Sequence, residues 1–397
     1  MVIKNAKIVN FDNIFMADVL VEDGLITRID TEIVGHEILD IEGKYLLPGL
    51  IDLHVRTLDD KINSDNFVRL SCNAKKGGVT TIALIADLQP PISDEITLEF
   101  VKSQDVQVTI YPLVMALRDE NSLSELAILL KKGALSIFTP SDINEYLLAR
   151  VFEYAKMRGV VLHIEPKNSV FRDVGVMNES EVSFRLGLGG ISELEEISEI
   201  AKVLEFANFY KVPVLFKSVS TPRGLELIAK SRYAYAEVSI HHLLFSDEAC
   251  EEYNTFAKLS PPLRNEEQRQ QLIQALQEGK IDLLTSLHSP KSFVNKDVSF
   301  DDASFGIDAL GYYLPLLYDR LVKQNIISFS KLVELTATNP GCFVDEKVGK
   351  IEEGYSADFI IFDPEATTKV TVPSLYTNKI LQGSVVNVIK NGEVIYG

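Results

Sequence analysis

Two histidines in this 397-residue chain stand where a catalytic cation could be held. His54 closes the run LLPGLIDLHVR (46–56), in which Leu50, Ile51 and Leu53 read as interior-strand residues and the imidazole falls at the strand's end. His163 ends a second apolar run, VLHIEP, with Glu165 two residues on as a candidate oxygen ligand. Imidazoles and carboxylates bind zinc, and zinc turns bound water into a nucleophile at neutral pH. Two histidines so far apart form no ligand motif by themselves, so a structural hydrogen-bonding role is the plainer expectation for each. For Glu165, too, a solvated or salt-bridged carboxylate is the plainer expectation. Arg56, Lys217 and Lys291 lie at or just past similar runs, and these cations would suit a small anion better than a metal.

Residues at strand ends need strands to carry them. Beside Leu50 to His54, apolar strand-like runs fall at Thr80 to Ala86, Val106 to Val114, Ala134 to Phe138, Val160 to His163, Val212 to Lys217, Ala234 to Ile240 and Ile281 to Ser286. Helical spacing lies between them over Ile143 to Met157, Glu193 to Phe209, Leu225 to Ser231 and Glu266 to Gln277, and beyond them over Ile307 to Lys323 and Phe329 to Ala337. Eight strands alternating with helices predict an α/β fold, a (β/α)₈ TIM barrel with its chemistry at the carboxyl ends of the strands. Short alternating strands at both chain ends, with turns at Glu22-Asp23-Gly24 and Asn391-Gly392, predict a small β-sandwich-like domain formed by the two termini. We therefore expect a composite β domain from 1–45 and 345–397 around a barrel of 46–344.

Hydrophobic residues make up 46% and charged residues 24%, the balance of a globular chain with a sizeable core. The net charge of −18 argues against nucleic acid and anionic membranes as partners. The acidic run ELEEISE (193–199) reads as a solvated helix face or a surface for a basic partner. Cys72, Cys250 and Cys342 show no CxxC spacing, and reduced, buried thiols are expected. The first residues alternate like a strand and no run reaches about 18 uninterrupted apolar residues, so the expected location is the cytoplasm.

The segment Pro48-Gly49-Leu50-Ile51-Asp52-Leu53-His54 resembles the first-strand motif of the amidohydrolase superfamily, most closely the dihydroorotases, in which it continues His-x-His-x-Arg. GGVTTIALIADLQPPI (77–92), GVMNES (175–180), LGLGGI (186–191), SPPLRNEEQRQQLIQALQEGKIDLLTS (260–286) and GKIEEGYSADFIIFDPE (349–365) are similar to later parts of that family in the same order. The resemblance implies a barrel holding one or two zinc ions. It also shows which ligand positions have changed. His54 and His163 remain, but Arg56 stands for the second histidine, Thr139 for the strand-four ligand, Ser218 for the strand-six histidine, and Leu287 for the aspartate that is ligand and general base. Leu58, Asp87 and Lys291 replace residues that hold the substrate there, and His241-His242 match a histidine pair expected to pack. The resemblance thus implies a catalytically inactive dihydroorotase-like protein of pyrimidine biosynthesis, a homo-oligomer and a structural or regulatory partner of the aspartate carbamoyltransferase catalytic chain, with no cofactor. Two other readings stand beside it: an active divergent amidohydrolase, which would use zinc, and a small-anion binding protein. Arg56 is expected to replace the lost cation's charge by pairing with Asp87 or Glu165.

Overall fold

Leu50–Val55 is buried at every residue, as a strand covered on both faces must be. In the computed structural model of the protein, which describes residues 1–344 and 347–397, it is the first strand of a parallel barrel. The others are Val79–Leu84, Thr109–Pro112 continued by Val114–Met115, Ile137–Pro140, Leu162–Glu165, Val214–Phe216, Ala234–Ser239 and Leu283–Thr285. Each pairs in parallel with the next. A parallel bridge from Val55 to His288 closes the ring, with the Arg56 amide donating to the His288 carbonyl at 2.8 Å. The third strand is interrupted because Pro112 has no N–H. Its carbonyl still accepts from Leu135, while the Leu113 amide turns back to Leu84.

Helices cover the outside. Glu145–Arg158 begins at Asn144, whose side chain accepts from the Tyr146 amide, and ends at Gly159 with φ 66°, a left-handed turn that glycine adopts without strain. The helix expected at Leu225 starts earlier, at Pro222, because Thr221 caps it and proline suits a first turn. Among the described residues no helix is long and apolar enough to cross a membrane.

Both chain ends build the second domain. Its sheet runs from Glu393–Tyr396 through Ile380–Lys390, Phe359–Lys369, Tyr45–Pro48, Val2–Val9 and Ile14–Glu22 to Leu25–Asp30, with Ile38–Asp40 beside Val2–Val9. Ile3, Ile8, Val19, Ile26, Phe359 and Ile361 form a core separate from that of the barrel. Residues 46–48, assigned to the barrel from sequence, pair instead within this sheet, and Gly49 makes the transition. A Cβ there would lie 2.2 Å from Thr80 Oγ1, so only glycine lets the two domains approach so closely. The boundary expected at 345 falls outside the described residues.

Candidate functional site

Asp52, His54 and Arg56, alternate residues at the end of the first strand, reach three different levels of the barrel. Asp52 accepts from Thr285 Oγ1 at 2.6 Å and from the Ser286 amide at 3.0 Å, tying the first strand to the eighth. His54 is buried, with Nδ1 2.9 Å from Glu237 Oε1 and 2.9 Å from Ser218 Oγ. Glu237 also holds the Lys217 ammonium, which donates to the Leu53 carbonyl at 2.8 Å and is fully buried. Burial alone would raise the Glu237 carboxyl, but Lys217 and His54 outweigh it and hold it at about 2. Above them, the Arg56 guanidinium bonds Asp87 through Nη1, and its Nη2 lies 3.7 Å from Glu165 Oε2. The cation expected at this position therefore meets both of the carboxylates proposed for it.

Arg56 opens on a cavity of about 220 Å³ at the barrel mouth. His54, Asp87, Glu165, Leu287 and Lys291 share its lining, joined by Asp60, Lys167, Arg172, Ser260, Phe305 and Gly306. Lys291 pairs with Asp60, and Asp59 braces the same corner by accepting from the Ser292 amide and Asn295 Nδ2, both at 2.8 Å. Arg172 is held by Glu195 through Nε at 3.0 Å and Nη2 at 3.2 Å, and it donates to Ser260 Oγ at 3.0 Å. Burial opposes ionisation of Glu165, but Lys167 and Arg56 keep it below the usual carboxylate range.

Two residues expected in this pocket are elsewhere. Leu58 turns into a small crevice with Asn66, Arg69 and Leu70, and Lys217 lies beneath the mouth. Thr139 is buried with its hydroxyl donating to the Pro140 carbonyl at 2.9 Å. Ser218 and Leu287 both have left-handed backbones, φ 50° and 49°, which cost a side-chain-bearing residue about 1 kcal/mol and persist only where the surroundings enforce them. His241 and His242 pack as expected: His241 contacts the Tyr376 hydroxyl at 2.8 Å and the Ser286 carbonyl at 2.9 Å, and His242 the Pro261 carbonyl at 3.1 Å.

The acidic run 193–199 is not a solvated face. Glu195, Glu196 and Glu199 are buried. Glu196 accepts from the Ser220 and Thr221 amides at 3.0 and 2.8 Å, and Glu199 from Asn168 Nδ2 at 2.8 Å. The run positions the loop that carries Lys167 and Arg172. Glu237, Lys167, Arg172 and Asp60 were not found from sequence. Glu237 alone left a signal, a carboxylate inside the otherwise apolar run AYAEVS.

Ser218, His54 and Glu237 lie within hydrogen-bonding distance, but they are not a nucleophilic triad. Both contacts fall on Nδ1, so the imidazole cannot donate to the carboxylate through one nitrogen while taking the serine proton with the other. Nε2 is left as the nitrogen available to the cavity.

A parallel eight-stranded barrel with polar residues gathered at its mouth and a β domain built from both termini defines the class, an amidohydrolase-type barrel. The solved structure of L-hydantoinase (dihydropyrimidinase) from Arthrobacter aurescens shares this fold, with a TM-score of 0.90 over 100% of this chain and 95% of that one at 22% identity. The model of the Amidohydrolase family matches residues 189–395. Over 94% of its length the chain is 32% identical to a dihydroorotase of Carboxydothermus hydrogenoformans, of which it covers 90%, and over 95% it is 31% identical to one of Acetivibrio thermocellus, of which it covers 94%. The chain belongs to the amidohydrolase family, in its dihydroorotase-like branch.

Zinc serves that family, but the residues here do not fit it. His54 can offer one nitrogen, Nε2, since Nδ1 is engaged by Glu237 and Ser218, and Leu287 has no donor atom. His163 is a second candidate donor, since neither of its buried ring nitrogens has a hydrogen-bond partner among the described residues and burial followed by Lys217 keeps it neutral, its pKa well below the usual imidazole range. Two donors are too few. Among the described residues no three His, Cys, Asp or Glu side chains converge as a metal site, whereas a catalytic zinc needs about three protein ligands. Two cations, Lys217 and Arg56, occupy the region instead.

Proposed function

We propose that this chain is a non-catalytic member of the dihydroorotase-like branch that acts as a structural or regulatory partner of the aspartate carbamoyltransferase catalytic chain in pyrimidine biosynthesis. The observation that carries the loss of catalysis is the pair of cations, Lys217 beside Glu237 and Arg56 beside Asp87, set where a metal would need donor atoms. The partner is inferred by resemblance alone, from the inactive dihydroorotase homologues that some bacteria pair with that enzyme. Support for an active divergent amidohydrolase comes from relatives named dihydroorotase along nearly the whole chain, and from a His54 whose Nδ1 is held by Glu237.

One set of measurements separates the readings. Dialysed protein is expected to hold no stoichiometric zinc and to leave dihydroorotate and carbamoyl aspartate unchanged in a metal-supplemented assay. Mixed with aspartate carbamoyltransferase from the same cell, it is expected to co-elute on sizing and to change transcarbamoylase activity. Turnover within about a hundredfold of an ordinary enzyme, itself on the order of 10 per second, overturns the non-catalytic reading. Separate elution with indifferent activity overturns the partnership.

A further inference from the structure

The segment 289–306, which follows the eighth strand, folds across the barrel mouth, where Ser289, Lys291, Phe305 and Gly306 line the cavity. Two lysines fasten it to the loop that follows the seventh strand, and neither does so through a carboxylate. Lys258, on that loop, donates through Nζ to the Phe300 and Asp301 carbonyls at 2.8 and 2.9 Å, with Nζ 4.7 Å from the centroid of the Phe305 ring. Lys296, on the segment, donates back to the Thr255 carbonyl at 3.0 Å. Thr255 Oγ1 donates to the Lys296 carbonyl at 2.6 Å, and the Gly306 amide to the Lys258 carbonyl at 3.0 Å. The two lysines are 2% and 3% exposed, and among the described residues neither makes an ion pair. Buried ammonium groups are ordinarily paired, as Lys217 is with Glu237. The charges that face Lys296 are of the wrong sign. Burial, then Lys291 and Lys258, lower it from 10.5 to about 7, against a small opposing pull from the Cys250 thiol. Asp301 and Asp302 act on Lys258, Asp247 and Glu251 act on Cys250, and Asp297 is exposed. Asp59 and Asp60, at the same corner, are taken by Ser292, Asn295 and Lys291. The closed segment therefore holds Lys296 best as the neutral amine, whereas an open one returns it to water, where the ammonium is favoured.

We propose that 289–306 is a strap over the mouth with a proton-operated latch: it stays closed while the Lys296 amine is neutral, and proton uptake by that amine releases the strap and widens the mouth. The inference goes beyond the proposed function and holds whether or not the chain is catalytic. Because the closed-state value lies below the ordinary one, closure is firmest above about pH 10.5, weakens as pH falls toward about 7, and changes little below that. One proton weakens closure by up to about tenfold per pH unit inside this window.

Hydrogen exchange of the full chain, with each rate divided by that of an unstructured peptide at the same pH, reads the latch at the Ser304 and Gly306 amides, which donate to the Asn295 and Lys258 carbonyls. Opening of the strap is expected to grow at least about tenfold from pH 9 to pH 7, while the eighth strand, Leu283–Thr285, changes less than about threefold. Lys296→Gln keeps an N–H donor for the Thr255 carbonyl but takes up no proton, so it should flatten the response of the strap to less than about threefold. A thermal midpoint matching the parent chain at pH 9 confirms that the variant folds, and Lys296→Met, equally without a titrating group, serves where it does not. The pH response of the parent chain tests the proposal without any variant. Corrected exchange in the strap that is unchanged between pH 9 and pH 7, or faster at pH 9, overturns it. So does a folded Lys296→Gln chain that keeps the full response, and so does an equal change in strap and eighth strand, which would report loosening of the whole barrel.

Discussion

A lysine ammonium sealed in the middle of a barrel depends on the carboxylate beside it. Lys217 is fully buried, and Glu237 is its charged partner as well as the acceptor that orients His54. Removing one member of such a pair costs about 3–5 kcal/mol, because the other charge is left without compensation, whereas replacing both with apolar groups of similar volume is often close to neutral. Glu237→Ala should therefore lower stability by about 3–5 kcal/mol in equilibrium urea unfolding. The double variant Lys217→Met with Glu237→Leu should recover most of that loss. If Glu237→Ala costs less than about 1 kcal/mol, the ammonium has found water or another acceptor, and the pair does not organise the interior as argued.

At the scale of elements, Asp52 is the clamp of the barrel. It satisfies the Thr285 hydroxyl and the Ser286 amide at the closing seam. Asp52→Ala leaves both buried donors unanswered, each at about 1–3 kcal/mol, so hydrogen exchange in Leu283–Thr285 should quicken more than in strands away from the seam. Uniform quickening would mean that the variant loosens the whole barrel, not its closure. The strands were legible in the sequence because a parallel barrel buries both faces and writes each strand as a short apolar run, though Val160 to His163 became Leu162–Glu165 and Val212 to Lys217 became Val214–Phe216. The pairing of Arg56 was legible too, since a cation at a strand end must be answered by carboxylates at neighbouring ends. What could not be read was any polar group whose partner lies far along the chain. Glu195 and Glu196 look solvent-facing until Arg172, Ser220 and Thr221 are brought against them, and Lys217 looks like a mouth residue until Glu237 draws it inward. Periodicity reports which side of an element is apolar, not which charges are compensated there.

For the whole molecule, two electrostatic effects oppose each other as pH falls. The chain carries a net charge of −18, and acidification toward its pI of about 4.9 relieves self-repulsion, which favours the folded state. The buried imidazoles act the other way. Burial lowers His241 from its ordinary 6.5 to about 3 and His242 to about 4. Because these folded-state values lie below the unfolded one, the unfolded chain takes up protons first. Their contribution is complete above about pH 6.5 and is lost as pH falls, for His242 down to about 4 and for His241 down to about 3. Glu237, held at about 2 against an ordinary 4.5, extends the loss below pH 4.5. Each group removes about 1.4 kcal/mol per pH unit within its window, and surface repulsion is screened by salt while buried sites are not. The thermal midpoint should therefore fall between pH 7.5 and pH 5, more steeply in high salt than in low. His242→Asn should make the decline shallower by removing one of the protons taken up. A midpoint that rises on acidification, or a slope that salt abolishes, would show that the surface charge outweighs the buried histidines.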